Sequence, residues 1–418
     1  MKIEAIYKLY SEYYLVDTDT RKIRENTIFF ALKGDNFNGN KFAEQALKLG
    51  AKYAIVDEEE FQTNDAIILV DDVLETLQKL ANFHRKKLNT PIIGLTGSNG
   101  KTTTKELINA VLNKKYKTTA TIGNLNNHIG VPLTLLSMTP KTEIGIVEMG
   151  ANHQKEIEFL CNICEPDFGY ITNFGKAHLE GFGGIVGVIK GKSELYKYLK
   201  KNNKIAFVNP ADKIQIEKTK NLQKILFNDN LKFLEANPFV KISNDSTIIK
   251  SNLIGSYNYT NIAAAITIGN YFKINGNEIK SAIEKYIPTN NRSQILQKKS
   301  NKIILDAYNA NPSSMQEALE SFSKSNDVSK TIILGDMFEL GNESSIEHQN
   351  IVDLATKLNF DTMYFVGEHF HNTSTDLQKF KDFKDLYTYI KNNPLEHQSI
   401  LIKGSRGMSL ERILDLIN

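Results

Sequence analysis

The sequence has no tryptophan and only two cysteines among 418 residues. A small secreted framework held by disulfides is therefore excluded. The two thiols, Cys161 and Cys164, form a CxxC pair, but no second Cys or His pair follows at ligand spacing. Inside QKEIEFLCNICEPDFG they read as core-facing residues one turn apart, on a helix that ends before Pro166. No low-complexity tract or solenoid period is present. No apolar run reaches the length needed to cross a bilayer. The N-terminal MKIEAIYKLYSEYY carries charges and tyrosines where a signal peptide needs an apolar core, so a cytoplasmic location is expected. The formal net charge is only +3, too small for a dedicated nucleic-acid binder. Neither a nucleic-acid partner nor stable membrane insertion is expected. The histidines form no metal array, and HFH at His369–His371 reads as a loop.

What is present is alternation. Strand-like and helix-like runs follow one another almost throughout, the pattern of α/β architecture with mostly parallel sheets. Three blocks stand out. Residues 1–90 hold strands in NTIFFAL, AKYAIV and DAIILV, with helices in KFAEQALKLG and VLETLQKLANFHRKKL. Residues 91–298 open on the buried strand PIIGLTG and continue through TEIGIVEMG, DFGYITNFG and KIAFVN, with helices between them and a long helix in SNLIGSYNYTNIAAAITIGNYF. Residues 299–418 alternate four strands (KIILDAY, TIILGDM, TMYFVG, SILIKG) with four helices, the last being SLERILDLI. The expected fold is a three-domain α/β protein. Its centre is a doubly wound P-loop nucleotide-binding domain, flanked by a small N-terminal α/β domain and a C-terminal Rossmann-like α/β domain.

GLTGSNGKTTTKE, residues 94–106, follows a strand and opens a helix, which is the context a phosphate loop needs. Its glycines let backbone N–H groups turn inward, and the helix N-terminus favours an anion. Lys101 can pair with terminal phosphates, and the Thr102 hydroxyl can ligate Mg²⁺. The strict G-x-x-x-x-G-K-[ST] pattern is not met, because its first glycine falls on Leu95. Taken alone, the loop leaves GTPase, transport ATPase, kinase and ligase open.

Glu148 ends an apolar strand, at the sheet edge where ligands of open α/β folds bind, and can hold Mg²⁺ bridging phosphates. TNFGKAHLEGFG, residues 172–183, brings Asn173 and His178 to the same edge. Lys192 would ordinarily be one more exposed helix lysine. Its ammonium repels a metal, whereas a carbamate formed with CO₂ would be an anionic oxygen ligand.

GLTGSNGKTTT, NLNNHIGVPL (124–133), IVEMG, TNFGKAHLEGFG and Lys192-Ser193-Glu194-Leu195 resemble the Mur ligase family. So do DAYNANPSSM (306–315), LGDMFELG (334–341) and KGSRGM (403–408). The resemblance runs in order along nearly the whole chain and is weakest over the first ninety residues. It implies an ATP-dependent ligase that forms an amide through an acyl phosphate. Within the family, YNANP points to the branch whose small-molecule substrates are UDP-N-acetylmuramoyl-tripeptide and D-alanyl-D-alanine. The first block would hold the UDP-sugar, the second ATP, and the third would close over ATP and the amine.

The resemblance also implies residue roles. Gly97, Ser98, Asn99, Gly100, Lys101, Thr102 and Thr103 would bind the phosphates, Asn258 and Asn261 would lie near the adenine, and Arg292 and Asp306 would contact phosphates and ribose. Thr102 and Glu148 would serve one Mg²⁺. A carbamylated Lys192, with His178 and Glu148, would serve a second. Lys101, Lys192 and His178 would be the catalytic groups. Tyr308, Asn309 and Asn311 would face the cleft as substrate-binding residues, and Arg406 would help bind the dipeptide or its carboxylate. Thr20, Arg21, Lys33 and Gly34 would contact the UDP-sugar. A monomer is implied. The chain departs from the family pattern at Asn38 and Asn40 (usually Asp and His), Tyr257 (commonly His) and Ala307 (commonly Ser). The alternatives are another Mur-type or folylpolyglutamate-type ligase, or a regulatory P-loop ATPase that turns over nucleotide without an amine acceptor.

Overall fold

A computed structural model describes residues 1–289 and 291–417. Among the described residues, three large sheets with their helices form the framework, joined by a three-stranded and a two-stranded sheet. In the first, Val16–Asp17, Ile28–Phe30, Tyr53–Val56 and Ile67–Leu69 lie parallel in that order. The helix Val73–Leu88 leaves this sheet. Asp72 caps it by accepting from Glu75 N, and Asn89 closes it in a left-handed conformation. Its far side packs on the central block. There His84 Nε2 meets Met138 O at 2.9 Å, and the buried Arg85 bonds Cys164 O at 3.0 Å and Asp167 at 2.7 Å. Tyr10 adds a bond to Leu136 O at 2.8 Å.

The central sheet has six parallel strands in the order Lys224–Leu226, Ile205–Val208, Phe168–Ile171, Ile92–Thr96, Ile144–Glu148, Thr118–Ala120. From Ile92–Thr96 the chain first fills one side of the sheet, then crosses to the other. That places the switch point of a doubly wound sheet beside the strand that feeds the phosphate loop. The helices Lys101–Leu112 and Asn258–Tyr271 cover one face, burying Leu107, Ile108, Val111, Ile262 and Ile266 completely. Together the central strands read as nearly continuous apolar runs because both faces are covered.

The third large sheet has the order Gln294–Lys298, Asn301–Asp306, Ser399–Lys403, Lys330–Gly335, Thr362–Val366, Gln378–Phe380. All neighbours are parallel except the first pair. The final strand inserts between the second and fourth positions, so Asp306 lies in register with Lys403.

Several expectations need correction. The third domain has six strands, not four; the antiparallel Gln294–Lys298 and the short edge strand Gln378–Phe380 lack a strong apolar pattern. Gln294–Lys298 also pairs into this sheet ahead of the 298/299 division expected from the sequence. SLERILDLI forms a 3₁₀ helix, Leu410–Asp415, rather than an α-helix. HFH is no loop: Glu368–His371 is a short helix. Asp336, more than thirty residues away, accepts from His369 N and Phe370 N at 3.0 Å each and so fixes this turn at long range. A three-stranded antiparallel sheet, Leu231–Ala236, Phe239–Asn244 and Thr247–Ile254, was not foreseen. Its first strand is mostly exposed, so hydrophobic alternation marks it poorly.

Cys161 and Cys164 are free and fully buried, each with Sγ against Met149 Sδ. Burial pushes the Cys164 thiol up to about 12 and Cys161 well above the usual thiol range. Because the thiolate is the reactive form, neither thiol is expected to be labelled by an aromatic disulfide reagent until the protein unfolds. Stopped-flow labelling with and without guanidinium checks this; fast reaction of the native protein would contradict it. No helix among the described residues is long and apolar enough to cross a membrane.

Candidate active site

The phosphate loop is built by strand, turn and helix in sequence. Gly97 adopts φ +144° and Gly100 φ +76°, conformations that side-chain-bearing residues resist. Space forbids a side chain as well. A Cβ on Gly97 would sit 1.9 Å from Thr172 Oγ1, and one on Gly100 2.7 Å from Asn261 Oδ1. The neighbouring strand end holds the loop. Ser98 N donates to Asn173 O at 3.1 Å, Asn99 N to Asn173 Oδ1 at 3.0 Å, and Thr172 Oγ1 to Asn99 O at 2.6 Å. Lys101 Nζ folds back on the carbonyls of Gly97 (2.8 Å) and Ser98 (3.1 Å). Burial lowers its pKa, opposed by the Glu148 carboxylate and reinforced by Arg292.

Beside the loop, Thr102 Oγ1 lies 3.0 Å from Glu148 Oε2, and Asn126 Nδ2 donates to Glu148 Oε1 at 2.8 Å. Glu148 is buried with no cation against it among the ion pairs of the described residues. A hydroxyl and a carboxylate side by side form a hard oxygen pair, which fits Mg²⁺. Lys192 is fully buried, not exposed as an ordinary helix lysine would be. Its Nζ donates to Ala151 O at 2.9 Å and faces the Phe182 ring at 5.0 Å. It therefore stands one backbone carbonyl behind the cleft wall to which Ala151 contributes. Burial, then the charge of Lys101, pushes its pKa well below the ordinary lysine value. As an ammonium it supplies no ligand. Among the described residues no three His, Cys, Asp or Glu side chains gather at metal-binding distance, so His178 and Glu148 do not converge with a third such group.

The third domain closes the far side. Arg292 stacks on the Tyr308 ring, 3.6 Å from its centroid, and Arg406 lies 5.5 Å from the same ring. Asp306 accepts from Ser293 N at 3.0 Å and from the buried Lys403 at 2.5 Å. Asn311 does two jobs. Its Oδ1 caps the helix Pro312–Ser323 through Ser314 N, and its Nδ2 donates to Asn99 Oδ1 at 2.7 Å. Further contacts cross at the 175–180 segment. Lys176 N meets Ser313 Oγ (2.8 Å), Lys176 Nζ meets Glu347 (2.5 Å), and His178 Nδ1 pairs with Glu339. The hydrogen bond from His178 holds Glu339 below the usual carboxylate range.

The resulting cleft has a volume of ≈ 730 Å³. It brings together Ser98 to Thr103, Glu148, His178, Asn258, Asn261, Arg292, Asp306, Tyr308, Asn309, Asn311 and Arg406. Gly97 and Lys192 lie just behind its wall. Asn258 and Asn261 are buried and bonded to one another at 2.8 Å, with Asn261 also accepting from Thr104 Oγ1 at 3.0 Å. Thr20, Arg21, Lys33 and Gly34 do not line this cleft. Arg21 is held by Asp19 at 2.7 Å and Lys33 by Asp57 at 3.0 Å. The sequence reading passed over Asn126, Lys403 and Glu317, which also line the cleft. Asn126 and Lys403 stand in the quoted segments NLNNHIGVPL and KGSRGM, so their positions beside strand ends were a usable signal. Glu317, in the middle of a helix, gave none.

Comparison with known proteins matches this geometry. Three family models cover the chain: Mur ligase family, catalytic domain, over residues 12–85; Mur ligase middle domain over 95–269; and Mur ligase, glutamate ligase domain, over 291–406. The UDP-N-acetylmuramoyl-tripeptide–D-alanyl-D-alanine ligase of Bacillus subtilis (strain 168) is 35% identical over 96% of this chain and 93% of that protein. The enzyme of the same name from Escherichia coli (strain K12) is 32% identical over 96% and 92%. Among solved structures, MurF from Acinetobacter baumannii superposes with TM-score 0.84 at 30% identity, covering 96% of this chain and 92% of that one. The MurF ligase of Thermotoga maritima in complex with ADP superposes with TM-score 0.84 at 27% identity, covering 100% and 98%. With its phosphate loop, its Thr102–Glu148 oxygen pair and its third-domain closing residues all in one cleft, the chain belongs to the Mur ligase family.

Proposed function

We propose that this protein uses ATP to join D-alanyl-D-alanine to the terminal carboxylate of UDP-N-acetylmuramoyl-tripeptide, giving the pentapeptide precursor of peptidoglycan. The observation that carries this reading is the meeting of two distant segments, the phosphate loop and YNANP, through the Asn99–Asn311 bond. Nucleotide and amine are thereby handled in one cleft. The enzyme is read as a monomer that works in the cytoplasm.

A carboxylate resists attack by an amine because oxide is a poor leaving group. A substrate carboxylate oxygen attacks the γ-phosphorus of ATP, the bond to the bridging oxygen breaks, and ADP departs. The amine then attacks the carbonyl carbon of the acyl phosphate, phosphate leaves, and the nitrogen loses a proton. Two anions meet in the first step, so cations must converge there. Lys101 and Arg292 supply fixed charge. The loop N–H groups hold the phosphates in line. Thr102 and Glu148 would hold Mg²⁺, which when bound neutralises phosphate charge. Arg406, exposed beside Tyr308, would take the dipeptide carboxylate. The side chains of Tyr308 and Asn309 complete that wall.

Lys192 fits the carbamate role because its neutral form is favoured. The amine lone pair bonds to the carbon of CO₂ as one C–O π bond gives its pair to oxygen, a proton passes from the nitrogen to solvent, and the product carries a single negative charge shared by its two oxygens. That group, with His178, would serve a second Mg²⁺. Thr20, Arg21, Lys33 and Gly34 are proposed as UDP contacts on the first domain.

The test is to incubate the protein with ATP, Mg²⁺, the UDP-muramoyl-tripeptide and D-alanyl-D-alanine. The expected result is a joined product by mass, with one ADP and one phosphate released per amide. ADP accumulating without joined product would overturn the reading in favour of a P-loop ATPase.

A further inference from the structure

Between the strand Lys330–Gly335 and the helix Ser344–Leu358 the chain makes a turn that reaches the cleft, where Phe338 and Glu339 form part of the wall. Its contacts run in two directions. Phe338 N donates to Ser405 Oγ at 3.0 Å, and a Cβ on Gly407 would fall 2.8 Å from the Phe338 ring, so the turn lies against the segment that carries Arg406. Glu339 O accepts from Glu180 N at 3.1 Å, and the Glu339 carboxylate pairs with His178, so the turn also bridges to the central domain. Glu339 itself sits at φ +61°, left-handed backbone that a side chain disfavours. Such a turn keeps its shape only if its surroundings hold it.

His348, on the first turns of the following helix, holds one end. It is fully buried, with ring centroids 4.7 Å from Phe370 and 5.0 Å from His369. Met337 N donates to His348 Nε2 at 3.0 Å, and His348 Nδ1 lies 2.7 Å from Ser344 O. A backbone N–H only donates and a carbonyl only accepts. The ring therefore carries its proton on Nδ1 and leaves Nε2 bare. The Asp336 carboxylate, with Oδ1 3.7 Å from Nε2, accepts from His369 N and Phe370 N instead. An apolar ring would pack here as well. What the imidazole adds is one acceptor, aimed at an amide of the turn. Among the described residues the charged or titratable groups facing it are Asp336, His369 and Glu347, the last paired with Lys176 of the central domain. Burial holds the ring below the ordinary histidine pKa and His369 adds to this, while the Ser344 bond, Asp336 and Glu347 oppose it.

We infer that His348 is a positioning residue for the amine side of the cleft: its bare Nε2 pins the turn that carries Phe338 and Glu339 against the Arg406 segment, and protonation releases it. His348 touches no substrate and acts through Met337 N. A proton on Nε2 would set two N–H groups against each other there. Release slackens Phe338 and, through Ser405, the Arg406 segment. The phosphate loop keeps its own bonds to Asn173 and Thr172, so the effect falls on the dipeptide and not on the nucleotide. The sign follows from the neutral resting form. The pin is in place at and above neutral pH and is lost as pH falls through the ring's pKa, below about 6.5. The consequence for amide formation rests on the ligase reading; the hold on the turn does not.

Amide hydrogen exchange resolved to single residues tests the pin in the wild-type protein. Asp336 N is the internal control, because it donates to Val366 O, a partner that does not titrate. Between about pH 8 and about pH 5, protection of Met337 N relative to Asp336 N is expected to fall at least about tenfold. In His348→Gln, whose side-chain oxygen accepts without gaining a proton, that ratio should stay flat. Rates of amide formation are then compared over the same range. The ratio of wild type to His348→Gln cancels titration of the substrate amine and should fall in step with the exchange ratio. His348→Phe, which keeps a ring but no acceptor, should raise the KM for D-alanyl-D-alanine about tenfold, the size of one lost hydrogen bond, with ADP affinity within about twofold of wild type. The role of His348 is overturned if the wild-type exchange ratio does not change with pH, if the rate ratio stays flat while the exchange ratio falls, or if folded His348→Phe keeps the wild-type KM for the dipeptide. If no variant and no wild-type protein forms the amide, the ligase reading fails, and the exchange ratio alone decides whether His348 pins the turn.

Discussion

Lys192→Ala is expected to lower the rate of amide formation about 10³-fold at saturating substrates, the scale of losing one preorganised electrostatic group. The KM for ATP should change little, because Nζ lies behind the cleft wall, bonded to Ala151 O, rather than on the nucleotide's surface. The cause is not lost positive charge. Burial, then the charge of Lys101, pushes its pKa well below the ordinary lysine value and so favours the neutral amine. That is the form that captures CO₂. Two further outcomes separate a carbamate from simple packing. Formate or acetate at high concentration should restore part of the activity of Lys192→Ala by supplying carboxylate oxygens to the gap. Lys192→Arg, which keeps a long basic side chain but forms no carbamate, should stay inactive. Retention by Lys192→Ala of more than a tenth of wild-type activity would remove the carbamate from the mechanism.

Gly97→Ala is expected to abolish measurable nucleotide binding. Two independent conflicts arise at this position. The backbone sits at φ +144°, outside the range an alanine accepts without strain, and the new Cβ would fall 1.9 Å from Thr172 Oγ1 and 2.9 Å from Thr172 N. Thr172 cannot retreat, since its N–H is bonded to Thr96 O at 2.9 Å in the central sheet and its hydroxyl to Asn99 O. The loop must rise instead, giving up the Thr172–Asn99 and Ser98–Asn173 bonds that aim its N–H groups. The combined strain and overpacking should cost about 2–4 kcal/mol of stability. ADP affinity should fall at least about 10²-fold, because the lost phosphate contacts are charge-assisted. Calorimetry with ADP and the ADP-induced rise in Tm report both. Gly276→Ala is the matched control: nothing lies within 4 Å of a Cβ there, so ADP affinity should be unchanged. ADP binding by Gly97→Ala within threefold of wild type would show that the loop does not cradle phosphate in this conformation.

Local patterns carried much of the fold. Ile92–Thr96, Gly97 and Gly100 and the helix Lys101–Leu112 are contiguous, so strand, turn and helix signals add up within a dozen residues. The helix Val73–Leu88 was legible to its ends because Asp72 caps it and Asn89 stops it. Pro312 behind Asn311 marked another start. Signals of this kind depend on neighbours along the chain, and the sequence displays neighbours directly.

The site's chemistry was less legible. Identity alone makes Lys192 an ordinary lysine; its burial comes from Ala151 and Phe182, which reach it only through the packed sheet and helices. The match of Asp306 with Lys403 depends on a strand that returns after 97 residues to lie between two others. Asn99 and Asn311, 212 residues apart, meet only when the two domains stand face to face. Thus the sequence by itself determined the strand–turn–helix units marked by contiguous signals, the phosphate loop and the family. Tertiary structure alone decided which side chains lost water and which charges faced one another, because desolvation and Coulomb energy depend on distance in space rather than position along the chain.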